Sequence, residues 1–412
     1  MAGCHRAGYG RVFPLNLGMK ILWVNSDFLH PTTRGGQIRT LETLKRLHQR
    51  HEIQYAALHF AASNGALERS AEYCGHAYPI THHVPRDFSP GFYRQLCHSQ
   101  LSKLPLAVLR YRSDALRRQV ENLTKANRFD AIVCDFLSSS PNIPDPAGAI
   151  LFQHNVESVI WKRHAETARN VLHKTYFQGQ HERMLHYEQS VCRAMKRVIA
   201  VSDGDAQTMR TMYGVPDVRI VPTGVDLDYF ARPSAIAQPN TDLVFLGSMD
   251  WRPNIDGARW FADEILPLIR RRRPTCSLAV AGRLPPADIL RLAERDARIH
   301  VTGTVDDVRP YLWESAVSIV PLRIGGGTRL KIFESMAAGI PVVSTTIGAE
   351  GLDVRDGENI ALADSPEDFA ERCLALLEDV ETSRKQAQRA WELVSACYSW
   401  DVVARKFEQL LT

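Results

Sequence analysis

The sequence predicts an α/β fold of two Rossmann-like, doubly wound parallel-sheet domains, and three observations carry that expectation. Its 412 residues exceed what one ordinary core holds, so two domains of roughly 200 residues each are expected. Short apolar runs alternate with amphipathic stretches, the pattern of strands that return in parallel through helices. The alternation pauses at an Asp- and Pro-containing segment, GVDLDYFARPSAIAQPNTD (224–242), and then begins again. These breaks give an N-terminal domain over 19–225, a linker over 226–242, a C-terminal domain over 243–385 and closing helices over 386–412.

In the first half, strands are expected at 20–25 (KILWVN), 52–60, 130–136 (DAIVCDF), 148–154 (GAILFQH), 197–202 (RVIAVS) and 218–223 (VRIVPT), each an apolar run ended by polar or turn residues. Helices are expected at 36–49, 157–195 and 203–213, with a mixture of helix and loop between 65 and 127. The second half restarts with LVFLGS (243–248) and a helix at 255–272. SLAVAG (277–282), IHVTGTV (299–305), VSIVPL (317–322) and PVVST (341–345) follow as strands, and helical stretches at 366–379 and 382–412 close the chain.

Composition narrows the class. With 45% hydrophobic and 23% charged residues the chain reads as a globular protein, and no apolar run reaches the ~18 residues a membrane span needs. Residues 1–18 lack the apolar stretch of a signal peptide, and Met19 followed by KILWV reads as the start of the fold, so 1–18 are expected to be a disordered leader. The eight cysteines are scattered without a CxxC or His/Cys cluster, which points to reduced cytoplasmic thiols rather than a zinc site or disulfide framework. The net charge of +4 hides an asymmetry: residues 1–200 hold 26 Lys+Arg against 15 Asp+Glu, while residues 201–412 hold 24 against 31. The basic half suggests an acidic partner, such as the anionic inner face of a membrane or a phosphate-bearing acceptor. No nucleic-acid-binding motif accompanies the charge.

The chemistry-bearing motifs sit where strands end. RGGQIR (34–39) follows the first strand, and Gly35 and Gly36 allow a tight turn into a helix whose free N–H groups accept an anion. FQHNVE (152–157) places His154 at a strand's carboxyl end, where an imidazole can hydrogen-bond a substrate hydroxyl. In AVSDGDAQTM (200–209), Ser202 or Asp203 is explained as an N-cap. FLGSMDWRPNIDG (245–257) repeats the strand, glycine, helix logic: Gly247 permits close ligand approach and Asn254 is expected to be an N-cap. The richest segment is PLRIGGGTRLKIFESMAAGIPVVST (321–345). A strand enters the glycines Gly325, Gly326 and Gly327, and a helix follows on which Thr328, Lys331 and Glu334, spaced three apart, share the polar face. Phosphates suit the helix start and the cations Arg329 and Lys331, while hydroxyls suit Glu334.

Together these segments, from about Met19 to the C-terminus, resemble the retaining glycosyltransferases of family 4, which have the two-domain GT-B fold with a central cleft between its halves. The resemblance is most specific in Gly325–Glu334 with MAAGIPVVST behind it, and HNVE, RVIAVS, VPTGVD and GSMDWRPN support it in order. It implies metal-independent transfer of a sugar from a nucleoside-diphosphate donor, a co-substrate rather than a cofactor, to a glycan or lipid-linked acceptor of the cell surface. It also implies roles: Glu334 on the donor ribose, Gly326, Gly327 and Thr328 on the diphosphate and sugar, Gly35 and Gly36 near phosphate and acceptor, His154 on the transferred sugar. Base recognition is placed near Gly282–Arg283 and Thr304–Val305, and the closing SWDVVARKFEQLL (399–411) matches the helix that crosses back to the N-terminal domain. Three positions depart from the pattern, in two respects. Gly326 stands where many members carry a first glutamate, and Ser248 and Pro253 stand where many carry an Arg and a Lys. Arg329 and Lys331 are therefore expected to neutralise the leaving phosphates. A non-catalytic nucleotide-sugar-binding protein and a nucleotide-sugar epimerase are the alternatives, distinguished by donor binding without transfer and by epimerisation of the donor alone.

Overall fold

Parallel strands can only be joined by crossovers, so a chain of buried apolar runs separated by amphipathic helices closes into sheets covered on both faces. The computed structural model describes residues 18–412 apart from 33, 61–64, 87–88, 103, 168–169, 235–238 and 325–329, so the expected leader lies almost wholly outside the described residues. The first sheet has seven strands: β1 (Lys20–Asn25), β2 (Glu52–His59), β3 (His76–Thr81), β4 (Ala131–Asp135), β5 (Ile150–Phe152), β6 (Arg197–Ala200) and β7 (Val218–Ile220). Their order is β3-β2-β1-β4-β5-β6-β7. The second has six: β8 (Thr241–Leu246), β9 (Leu278–Ala281), β10 (Ile299–Val301), β11 (Ser315–Val320), β12 (Val342–Ser344) and β13 (Ala361–Leu362), in the order β10-β9-β8-β11-β12-β13. The central pairs of both sheets, β1 with β2 and β4, and β8 with β9 and β11, are parallel.

The chain divides into two compact units, one of Met1–Ile199, Met209–Arg219 and Glu408–Thr412, the other of Ala200–Thr208 and Ile220–Phe407. In the first, Ile21 to Val24 of β1 and Ile150 to Phe152 of β5 are buried along their whole length. In the second, β8, β9 and β11 are flanked by Phe261, Ile265, Ile332, Met336 and Phe369 in one continuous core.

The structure corrects the expected elements in four places. β3 falls in the stretch read as helix and loop: HAYPIT is half-buried at the sheet edge and carries no apolar run. The helix expected over 157–195 is two, Glu157–Thr167 and Val171–Ala194. The helix expected over 382–412 breaks between Val380–Cys397 and Trp400–Glu408, because the Tyr398 carbonyl accepts from the Val225 N–H (2.8 Å) and Trp400 N–H donates to the Val225 carbonyl (3.2 Å). Asn254 is not an N-cap. The helix Arg252–Trp260 starts two residues earlier, with extended Trp251 before it and Pro253 in the first turn, where its missing N–H leaves no helical bond unmade. Ser202 does cap its helix, accepting from Asp205 N–H at 3.1 Å.

Candidate functional site

In an open parallel sheet, ligands bind at the carboxyl ends of strands where the strand order reverses. In the second sheet that point lies between β8 and β11, and the residues that follow these strands gather there. Gly247 follows β8, and a Cβ on it would stand 2.7 Å from Asn254 Nδ2 and 2.9 Å from Lys331 Nζ, so only glycine leaves those side chains in place. Asn254, buried, donates to the Ser248 carbonyl (2.8 Å) and accepts from Lys331 Nζ (2.6 Å). The same ammonium lies 4.6 Å from the centre of the Phe245 ring, a cation–π contact. One helical turn on from Lys331, in Leu330–Ala337, is half-buried Glu334. No described side chain or N–H donates to its carboxylate. Burial pushes the Glu334 carboxyl up to about 7 against the pull of Lys331. A carboxylate beside a lysine with no donor among the described residues has open acceptor capacity.

Ser248, where the resemblance expects a cation, is met by one from elsewhere. Arg283 donates through Nε to Ser248 Oγ (2.7 Å) and pairs with Asp250 (3.1 Å), which also accepts from Ser248 Oγ (2.6 Å), so the cation at this position already has its counter-ion. Pro253 is buried in its helix. Gly282 packs its backbone on the Gly247 carbonyl. Thr304, exposed, accepts from the Leu284 N–H (3.3 Å), and Val305 is half-buried. Arg323, a further cation near the segment, is tied to Asp256 (2.8 Å). Gly325, Gly326, Gly327, Thr328 and Arg329 lie outside the described residues.

The first sheet reverses between β1 and β4, and it too collects polar groups at that edge. Gly35 and Gly36 open the helix Gly35–His48, and a Cβ on Gly36 would meet the Phe136 ring at 2.6 Å. Asp135, at the end of β4 and fully buried, accepts through Oδ2 from Trp23 Nε1 (3.0 Å), Asn25 Nδ2 (2.9 Å) and Thr40 Oγ1 (2.8 Å). Its other oxygen lies 2.7 Å from Nε2 of His154. Arg39, 1% exposed, donates to His154 Nδ1 at 2.8 Å. A guanidinium only donates, so Nδ1 is bare and Nε2 carries the proton. Burial holds His154 below its ordinary value and hence neutral, with Asp135 pulling the other way. Phe136 stacks on the imidazole, centroids 3.9 Å apart at 13°, and does so at φ 65, a conformation that costs a non-glycine residue about 1–3 kcal/mol.

His154 is thus 3% exposed with both ring nitrogens engaged, a more enclosed placement than a direct sugar contact requires. The turn that carries it is clamped from below. Buried Glu188 accepts from Glu157 N–H (2.8 Å) and Ser158 N–H (2.9 Å), capping Glu157–Thr167, and also from Gln153 Nε2 (2.7 Å) and Tyr213 (2.6 Å). Sequence reasoning passed over Asp135, Phe136 and Arg39. The available signal was an acidic residue closing the apolar run AIVC, the same strand-end logic that singled out His154. Among the described residues no group of His, Cys, Asp and Glu has the arrangement of a metal site, and no two of the described cysteines are joined by a disulfide. No helix among them is long and apolar enough to cross a membrane.

Comparison with known proteins adds an independent line. Residues 240–379 match the profile of the glycosyl transferases group 1, and residues 33–229 match that of glycosyltransferase family 4. O-antigen chain mannosyltransferase B of Escherichia coli is 24% identical over 404 residues, covering 91% of this chain and 97% of that protein. An uncharacterized 44.6 kDa protein in the cps region of Klebsiella pneumoniae is 20% identical over 395 residues, covering 92% and 96%. Among solved structures, HepE of Anabaena in complex with UDP-glucose superimposes with a TM-score of 0.60 at 14% identity, over 95% of this chain and 99% of that one, a likeness of fold.

Proposed function

The chain belongs to the group 1, family 4 glycosyltransferases, with their GT-B fold, and from that premise we propose that it transfers a sugar from a nucleoside-diphosphate donor to a hydroxyl of a cell-surface glycan, with retention. The observation that carries the donor assignment is Glu334: a half-buried carboxylate without a donor among the described residues, one turn from Lys331, at the switch point of the second sheet. Ribose hydroxyls would supply the missing donors. The UDP-glucose held by HepE and the O-antigen and cps-region relatives support the donor class and the glycan setting.

In the reaction the acceptor oxygen bonds to the anomeric carbon as the bond from that carbon to the phosphate oxygen breaks. Attack and departure share one face of the sugar, and the departing phosphate oxygen takes the acceptor's proton, so no second carboxylate is required. The transition state is oxocarbenium-like, with negative charge growing on the diphosphate. Lys331 with Arg329 and the helix N–H groups stabilise that charge. His154, held neutral, is no proton carrier. With Nε2 committed to Asp135, Nδ1 is the atom that could accept from a sugar hydroxyl, after Arg39 lets go.

Transfer from a panel of nucleotide sugars to extracted lipid-linked glycan tests the assignment. Lys331→Ala and Glu334→Ala should each lower turnover by about 100-fold or more, in line with losing one charge-stabilising group, with circular dichroism unchanged. Wild-type turnover in both variants would remove the site from this helix.

A further inference from the structure

A pocket of about 600 Å³ opens in the second unit at the far end of the helix that carries Lys331 and Glu334. Its floor is Ala337–Gly339, small residues at that helix's C-terminal end. Its walls are Arg232, from the segment after the short helix Leu227–Phe230, and Arg384, Gln388 and Trp391 of Val380–Cys397. The last three stand at i, i+4 and i+7 and so share one helix face. Nothing in the donor site uses them.

Three features set this pocket apart from an ordinary surface dent. Arg232 is half-buried, its Nε and Nη2 are enclosed and meet no hydrogen-bond partner among the described residues, and burial pulls the guanidinium below its ordinary value. A cation kept in that condition is unfavourable unless an anion meets it. Arg384 brings a second guanidinium to the same space. Trp391 leaves 42% of its surface open beside them. Guanidiniums bind carboxylate or phosphate through paired N–H groups, and an open indole face packs on the C–H face of a sugar ring. The volume is larger than a free phosphate fills.

The geometry points to a second saccharide site: an acidic sugar residue whose carboxylate or phosphate lies between Arg232 and Arg384 and whose ring lies on Trp391. The choice of a saccharide over other acids rests on the glycosyltransferase reading, but the site is separate from the donor helix N-terminus. It would hold acidic residues of a glycan chain or a free sugar acid, and the two sources are separable by experiment.

Full-length protein labelled with 15N-tryptophan is titrated with glucuronic acid, with a glucuronate-containing tetrasaccharide of hyaluronan, and with neutral maltotetraose. The indole N–H resonance that disappears in Trp391→Phe is the reporter. It should shift with the tetrasaccharide, or with glucuronic acid as well if a free sugar acid suffices, and not with maltotetraose. Arg384→Gln, at an exposed position, should weaken binding at least tenfold with an unchanged melting temperature, and Arg232→Gln should do the same. Equal response to maltotetraose, to inorganic phosphate or to tetraglutamate would overturn the proposal, as would no response or one indifferent to Arg384→Gln. A parallel nucleotide titration monitored by thermal shift keeps failure here distinct from failure of the donor assignment.

Discussion

Glu334 is the residue on which most of the functional reading turns, and its environment makes a pH prediction with a definite sign. Its folded value of about 7 lies above the 4.5 of an ordinary glutamate. The stability it contributes is therefore intact below about 4.5 and declines as pH rises through about 7. Ribose hydroxyls donate to the ionised form, so nucleotide binding should tighten as pH rises through that range and release a proton near pH 6. Calorimetric titration in buffers of different ionisation enthalpy reads the proton directly, and Glu334→Gln should abolish the dependence. Proton uptake, or a flat profile in the wild type, would contradict the assignment. Asp135 is the counterpart in the first unit. Asp135→Ala would leave Trp23, Asn25, Thr40 and His154 without their shared acceptor in a dry place. A loss of about 3–5 kcal/mol is expected from urea unfolding, and a loss under about 1 kcal/mol would show that the cluster is not held as described.

At the scale of elements, the candidate sites of the two units are strand-to-helix junctions whose glycines are set by what lies against them. Gly247→Ala should push Asn254 and Lys331 apart, costing about 1–3 kcal/mol of local packing and weakening donor binding, while a Kd equal to wild type would show that the close approach has no bearing on the ligand. Such junctions were legible in the sequence because a parallel strand is an unbroken apolar run and its end is abrupt: KILWVN, DAIVCDF and SLAVAG all became strands within one or two residues of the expected limits. Lys331, Asn254 and Gly247 came together as a cluster for the same reason. What stayed hidden was whatever tertiary contact decides. HAYPIT is a strand only because β2 pairs with it. The turn at Tyr398–Ser399 exists only because Val225 bonds across it. Arg283 reaches Ser248 from 35 residues away, which no local pattern records. The enclosure of His154 likewise depends on Arg39 and Asp135, which are distant from it in sequence.

At the scale of the whole molecule, two parallel α/β units that each place glycines and polar side chains at a reversal of strand order are what a glycosyltransferase of this family needs. The donor is assigned to the second unit, and that assignment is the central claim. Thermal denaturation against a panel of nucleoside diphosphates tests it most directly, because a ligand bound only by the native state raises stability by mass action, about 2.7 kcal/mol at a hundredfold excess over Kd. The account predicts that at least one diphosphate raises the melting temperature of the wild type and that the increase disappears in Glu334→Ala. A panel without any response, or an increase that survives in Glu334→Ala, would contradict it.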